Sequence, residues 1–147
     1  MAQLQPYCAI EGNDDGLPVV FVHGMGVDHR SLMMLDKAFD GNDSIRRIYL
    51  DLPGFGRTPA LPEHACGLPE MADWLQTAID GLVGKAAPFA MVGNSMGGAL
   101  VREVLAREPR RVAGMALIAP VVDPQHAGRH VACLLYTSPS PRDRSLS

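Results

Sequence analysis

The sequence lacks a basic surplus. Its 147 residues carry 13 lysines and arginines against 16 aspartates and glutamates, a formal net charge of −3. A nucleic-acid binder needs a basic face to displace counterions from phosphates, so nucleic acid is not an expected partner. Long hydrophobic runs are also missing: no apolar stretch approaches the roughly 18 residues that cross a bilayer, and no membrane partner is expected. Residues 1–16 contain no basic segment leading into an apolar one, so no signal peptide is read there. Cysteine is scarce. Cys8, Cys66 and Cys133 are an odd, widely spaced set with no metal-ligand spacing, which points to a reducing, cytoplasmic compartment. The nucleotide fingerprints are absent too, because Gly24-Met25-Gly26 and Gly54-Phe55-Gly56 stop at G-x-G and no G-x-x-x-x-G-K occurs.

What remains is an ordinary globular composition, 47% hydrophobic and 20% charged. Short apolar runs alternate with amphipathic ones. Leu17 to Val22, Ile45 to Leu50, Phe89 to Val92 and Val112 to Ala119 read as strands, and Tyr7 to Ile10 as a possible short one. His29 to Phe39 is a short helix candidate. Leu68 to Leu82 is a clear helix, with Met71, Trp74, Leu75, Ala78, Ile79 and Leu82 on one stripe, and Ser95 to Arg107 is another. Strands alternating with helices predict an α/β fold, a mainly parallel sheet with helices on both faces.

Three strand-end phrases carry the chemistry. Gly93-Asn94-Ser95-Met96-Gly97 is a G-x-S-x-G match between an apolar strand and an amphipathic helix, the setting of a nucleophile elbow. Gly93 and Gly97 remove side chains that would collide with neighbouring backbone, and Gly98 adds room. Ser95 is the catalytic candidate; the competing reading is a serine N-cap on a glycine-rich turn. Val22-His23-Gly24-Met25-Gly26 follows the first buried strand. Gly24 and Gly26 allow its backbone to turn inward, so the N–H groups of Met25 and Met96 are the expected oxyanion donors, worth about 3 kcal/mol each. His23 is expected to brace this loop rather than act as a base. Asp51-Leu52-Pro53-Gly54-Phe55-Gly56-Arg57-Thr58 reads as a turn, which an Asp51–Arg57 pair would hold.

Together HGMG, DLPGFGRT and GNSMGG resemble the α/β-hydrolase superfamily. The narrower likeness is to the branch of meta-cleavage-product hydrolases, enol-lactone hydrolases, proline iminopeptidases and related esterases. The resemblance covers roughly residues 7–123. It implies a Ser–His–acid triad with Ser95 as nucleophile, a small-molecule substrate, a lid inserted after the strand that ends near Pro120, and neither a metal nor an organic cofactor. The reaction implied is hydrolysis of an ester, lactone, amide or activated C–C bond. A non-catalytic ligand-binding protein, or a lyase or acyltransferase, on the same scaffold are the alternatives.

The triad acid and histidine follow later strands in such proteins, and the 27 residues beyond Pro120 leave no room for them. Asp123 is a weak acid candidate, and His126 and His130 read as solvated. The expectation is an incomplete α/β-hydrolase fold of low solubility. Residues 1–133 would form the N-terminal part of the core domain. Residues 134–147, polar except at their start and at Leu146, would be a disordered tail, either a plain flexible terminus or a foreign extension resembling translated adapter sequence.

Overall fold

The computed structural model describes residues 5–123. His126, His130, Cys133 and the 134–147 tail lie outside the described residues. The described residues hold five strands: β1 (Cys8–Gly12), β2 (Leu17–Val22), β3 (Ile45–Leu50), β4 (Phe89–Asn94) and β5 (Val112–Ile118). They form one sheet in the order β1-β3-β2-β4-β5. β1 runs antiparallel to β3, and the other three pairings are parallel. The sequence's possible short strand is thus real, and it caps the β3 edge.

The helices are α1 (Arg30–Met33), α2 (Leu68–Val83) and α3 (Met96–Arg107). β2 is central, and alternation along it feeds both faces of the sheet. Val20 and Val22 join Ile48, Leu50, Phe89 and Met91 beneath the apolar stripes of α2 and α3. Phe21 points the other way, to Tyr49 and Leu32. Its ring stacks on Tyr49 with centroids 4.4 Å apart. Pro69 occupies the first turn of α2 and Gly84 closes it at φ +99°. Arg111 ties that helix end to the sheet, donating to Asp80 Oδ1 at 2.7 Å and to the Gly84 carbonyl at 2.7 Å.

One element differs from expectation. His29 to Phe39 is not a continuous helix but the single turn α1 followed by a 3₁₀ turn over Asp36–Phe39. Tertiary bonds win over local periodicity here. Asp36 is drawn to the sheet, where its Oδ1 accepts from Arg47 Nε at 2.6 Å and from the Tyr49 hydroxyl at 2.7 Å. These bonds hold the Asp36 carboxyl below its ordinary pKa, the Arg47 hydrogen bond being the main cause.

On the far side of the sheet, β5 pairs only with β4 among the described residues, and Leu117 and Ile118 stay 37% and 38% exposed. Among the described residues, no helix is long and apolar enough to cross a membrane.

Candidate active site

The connection leaving β2 runs toward β3, and the one leaving β4 runs toward β5. The winding therefore reverses between β2 and β4. In open parallel sheets, ligands bind in the crevice outside the carboxyl ends of such a pair. Gly24 and Ser95 lie there, each two residues beyond the registered pair Val22 and Gly93.

Ser95 joins β4 to α3 with φ +51° and ψ −115°. This left-handed backbone costs a non-glycine residue of order 1–3 kcal/mol and persists only where its surroundings over-determine it. Ser95 occupies the N-cap position of α3, and its side chain makes no capping bond there. Its surroundings are close-packed. A Cβ on Gly97 would fall on the carbonyl oxygens of Val22 and His23, and one on Gly93 would come within 2.6 Å of Val101 Cγ2. Glycine at these positions lets the start of α3 lie directly on the end of β2. Met96, the first helical residue, is buried; its N–H has no carbonyl one turn back to reach.

The loop after β2 lies against the same turn. A Cβ on Gly24 would sit 3.1 Å from Ser95 Cβ and 3.0 Å from Asn94 Oδ1. Met25 follows, 72% exposed, and Gly26 turns the chain at φ +79°. His23 is fully buried beneath the loop. The Leu52 N–H donates to its Nε2 at 3.0 Å, so the proton resides on Nδ1, which donates to the Gly24 carbonyl at 2.7 Å. Burial lowers the His23 pKa below its ordinary 6.5, with the Gly24 bond opposing. His23 thus ties the β2 loop to the β3 loop.

Asp51, also fully buried, organises the other side. Its Oδ2 accepts the Arg57 backbone N–H at 2.9 Å. The guanidinium expected to pair with Asp51 goes elsewhere, donating to the Tyr7 hydroxyl at 3.1 Å. Asp51 Oδ1 instead takes the backbone N–H and the ring Nδ1 of His29, each at 2.8 Å. Sequence reasoning missed His29, because nothing in a spacing of 22 residues signals the pair. Asp28, His29 and Asp51 place ligand-type atoms within 4.8 Å of one another. All three are already engaged: Asp28 is chelated by Arg30 at 2.6 Å, and those hydrogen bonds hold its carboxyl down at about 2.

Gly98 packs on Pro120, where a Cβ would come within 2.7 Å of the ring. Asp123 is exposed at the end of the described residues, two positions beyond Val121, whose N–H donates to the Ser95 carbonyl at 3.0 Å. The structure thus brings Gly93, Ser95, Met96, Gly97 and Gly98 into one turn, with Gly24 of the β2 loop packed against it.

A family model described as alpha/beta hydrolase fold matches residues 18–132. The chain belongs to the alpha/beta hydrolase fold family. The proteins it resembles carry different names. It is 34% identical over 108 residues to the dihydrolipoyllysine-residue acetyltransferase component of the acetoin cleaving system of Pseudomonas putida, covering 74% of this chain and 28% of that protein. It is 32% identical over 106 residues to a pimeloyl-[acyl-carrier protein] methyl ester esterase of Legionella pneumophila, covering 70% of this chain and 38% of the esterase. Among solved structures, an alpha/beta superfamily hydrolase of Oenococcus oeni superposes with a TM-score of 0.77 at 27% identity, over 86% of this chain and 46% of that one. The chain therefore spans less than half the length of these proteins.

Proposed function

We propose that this chain carries the nucleophile and the oxyanion-binding half of a serine hydrolase acting on a small-molecule ester, lactone, amide or activated C–C bond. The observation that supports the reading most is the strained backbone of Ser95 at the reversal point of the sheet, pressed against Gly24. In this mechanism Ser95 Oγ attacks the substrate carbonyl carbon. The carbonyl oxygen becomes an anion and is met by the N–H groups of Met25 and Met96 at the positive end of α3. Collapse expels the leaving group, and water then hydrolyses the acyl-serine. A serine hydroxyl is a weak nucleophile without a base. Among the described residues no histidine follows Ser95. On this reading the base and its orienting carboxylate come from chain beyond the present 147 residues, in keeping with the length of the relatives.

The test is a fluorophosphonate probe on the protein extended to the length of its relatives. Ser95 is expected to take the label and Ser95→Ala to lose it. No labelling with Ser95 intact overturns the reading and favours a ligand-binding protein on the hydrolase scaffold. A second reading is favoured by the relative named as an acetyltransferase component: the acyl group on Ser95 passes to an acceptor other than water. Partition of the acyl-enzyme between water and an added thiol separates the two.

A further inference from the structure

Two non-glycine residues among those described have positive φ, Ser95 at +51° and Ala119 at +42°. They belong to turns that are bonded to each other. The Ser95 N–H donates to the Ile118 carbonyl at 3.0 Å, and Asn94 Nδ2 donates to the same oxygen at 3.3 Å. Directly after Ile118 the chain bends at Ala119. Beyond the bend the Val121 N–H donates to the Ser95 carbonyl at 3.0 Å, where the Gly98 N–H also donates at 3.0 Å. Pro120 fills the space that Gly98 leaves. One step past the registered pair Asn94 and Ile118, Pro120 has no N–H to give, so the Ser95 carbonyl takes its bond from Val121, and the bend at Ala119 brings that N–H into place.

The Ser95 carbonyl belongs to the same planar peptide as the Met96 N–H, and in a trans peptide the two point in opposite directions. Whatever fixes that carbonyl aims that N–H. We infer that the Ala119–Val121 turn is a positioning device for the Ser95–Met96 peptide, with Ala119 as the positioning residue. Its role rests on the proposed use of Met96 N–H as an oxyanion donor. Ala119 touches no reacting atom; it acts through Val121 and Ser95.

The test is residue-resolved amide hydrogen exchange on the 147-residue chain, as wild type, Ala119→Val and Ala119→Gly. A β-branched residue tolerates φ near +42° poorly, whereas glycine adopts it freely. In Ala119→Val the Ser95 and Val121 amides are expected to exchange together about tenfold faster, with β2 amides unchanged. Ala119→Gly keeps the wild-type pattern. Should Ala119→Val fail to fold, Asn94→Ala removes only the side-chain donor to Ile118 and is expected to speed exchange at Ser95 about threefold. Unchanged exchange at Ser95 and Val121 in Ala119→Val, or at Ser95 in Asn94→Ala, or an equal loss across β2, overturns the inference.

In the extended protein, Ala119→Val is expected to lower kcat on p-nitrophenyl butyrate about tenfold with KM unchanged, because an oxyanion donor acts in the transition state. A change confined to KM overturns the inference. Absence of fluorophosphonate label on wild-type Ser95 overturns the proposed function instead, and the exchange measurement then still decides the role of the turn.

Discussion

Leu52 donates its backbone N–H to Nε2 of His23 at 3.0 Å, and that contact dictates which ring nitrogen carries the proton. Protonating Nε2 would break the bond and charge a ring that is fully buried. The folded pKa is accordingly lowered, burial being the main cause. The unfolded chain takes up a proton near pH 6.5 and the folded chain does so only at lower pH. The contribution to stability is therefore complete above about pH 6.5 and is lost as pH falls below it. Denaturant melts between pH 8 and 5 should show this slope, and nitrogen-15 NMR should report the Nδ1–H tautomer at neutral pH. His23→Gln is expected to flatten the slope and to cost about 1–3 kcal/mol, since it strands a buried donor and acceptor.

Gly97→Ala is expected to destabilise the chain by about 3 kcal/mol, because the atoms in the way are backbone carbonyls of Val22 and His23 that cannot step aside. Gly81→Ala is the control. Gly81 lies inside α2 with open space where its Cβ would go. There alanine should stabilise by about 0.5–1 kcal/mol. Urea midpoints of the two variants moving in the same direction would contradict the packing argument.

Ser95→Gly should raise stability by about 1 kcal/mol, since glycine relieves the positive φ of the elbow. Ser95→Ala keeps that strain and should leave the melting temperature close to wild type. A stabilised Ser95→Ala together with a destabilised Ser95→Gly would show that the turn is not strained.

Asp51→Asn keeps the shape of the side chain but replaces a carboxylate oxygen with an amide NH₂ group. Oδ1 accepts two N–H groups from His29 and Oδ2 accepts one from Arg57, so either amide orientation sets donor against donor. The expected cost is about 3 kcal/mol in a thermal or urea melt. His29→Ala removes the ring donor and its contact with Tyr7 at a partly accessible position and should cost less.

The sheet was legible in the sequence where the signals are local. Leu17 to Val22 is a β-branched run stopped by His23-Gly24, and the stripe from Met71 to Leu82 repeats at a helical period; both elements lie where those patterns put them. The G-x-S-x-G turn was legible because glycine records a close approach of backbone that no other residue allows. What escaped was partner choice. The antiparallel pairing of β1 with β3 leaves no local trace, and a carboxylate at a strand end, such as Asp51, accepts any donor the fold brings up. It took His29 rather than the Arg57 guanidinium. Ala119 is the extreme case: alanine at a positive φ carries no compositional signal, since its conformation is imposed by bonds to Ser95 and the packing of Pro120.

Because β1 pairs with β3 and not with its neighbour in the chain, the first ladder of this sheet waits for a residue far downstream. β2 likewise finds its partners only in β3 and β4. A polypeptide emerging from the ribosome forms none of these ladders until β3 has cleared the exit tunnel, and the bonds that join Ser95 to Ile118 and Val121 wait for β5. The Ser95 turn is therefore among the last parts of this segment to take shape during synthesis.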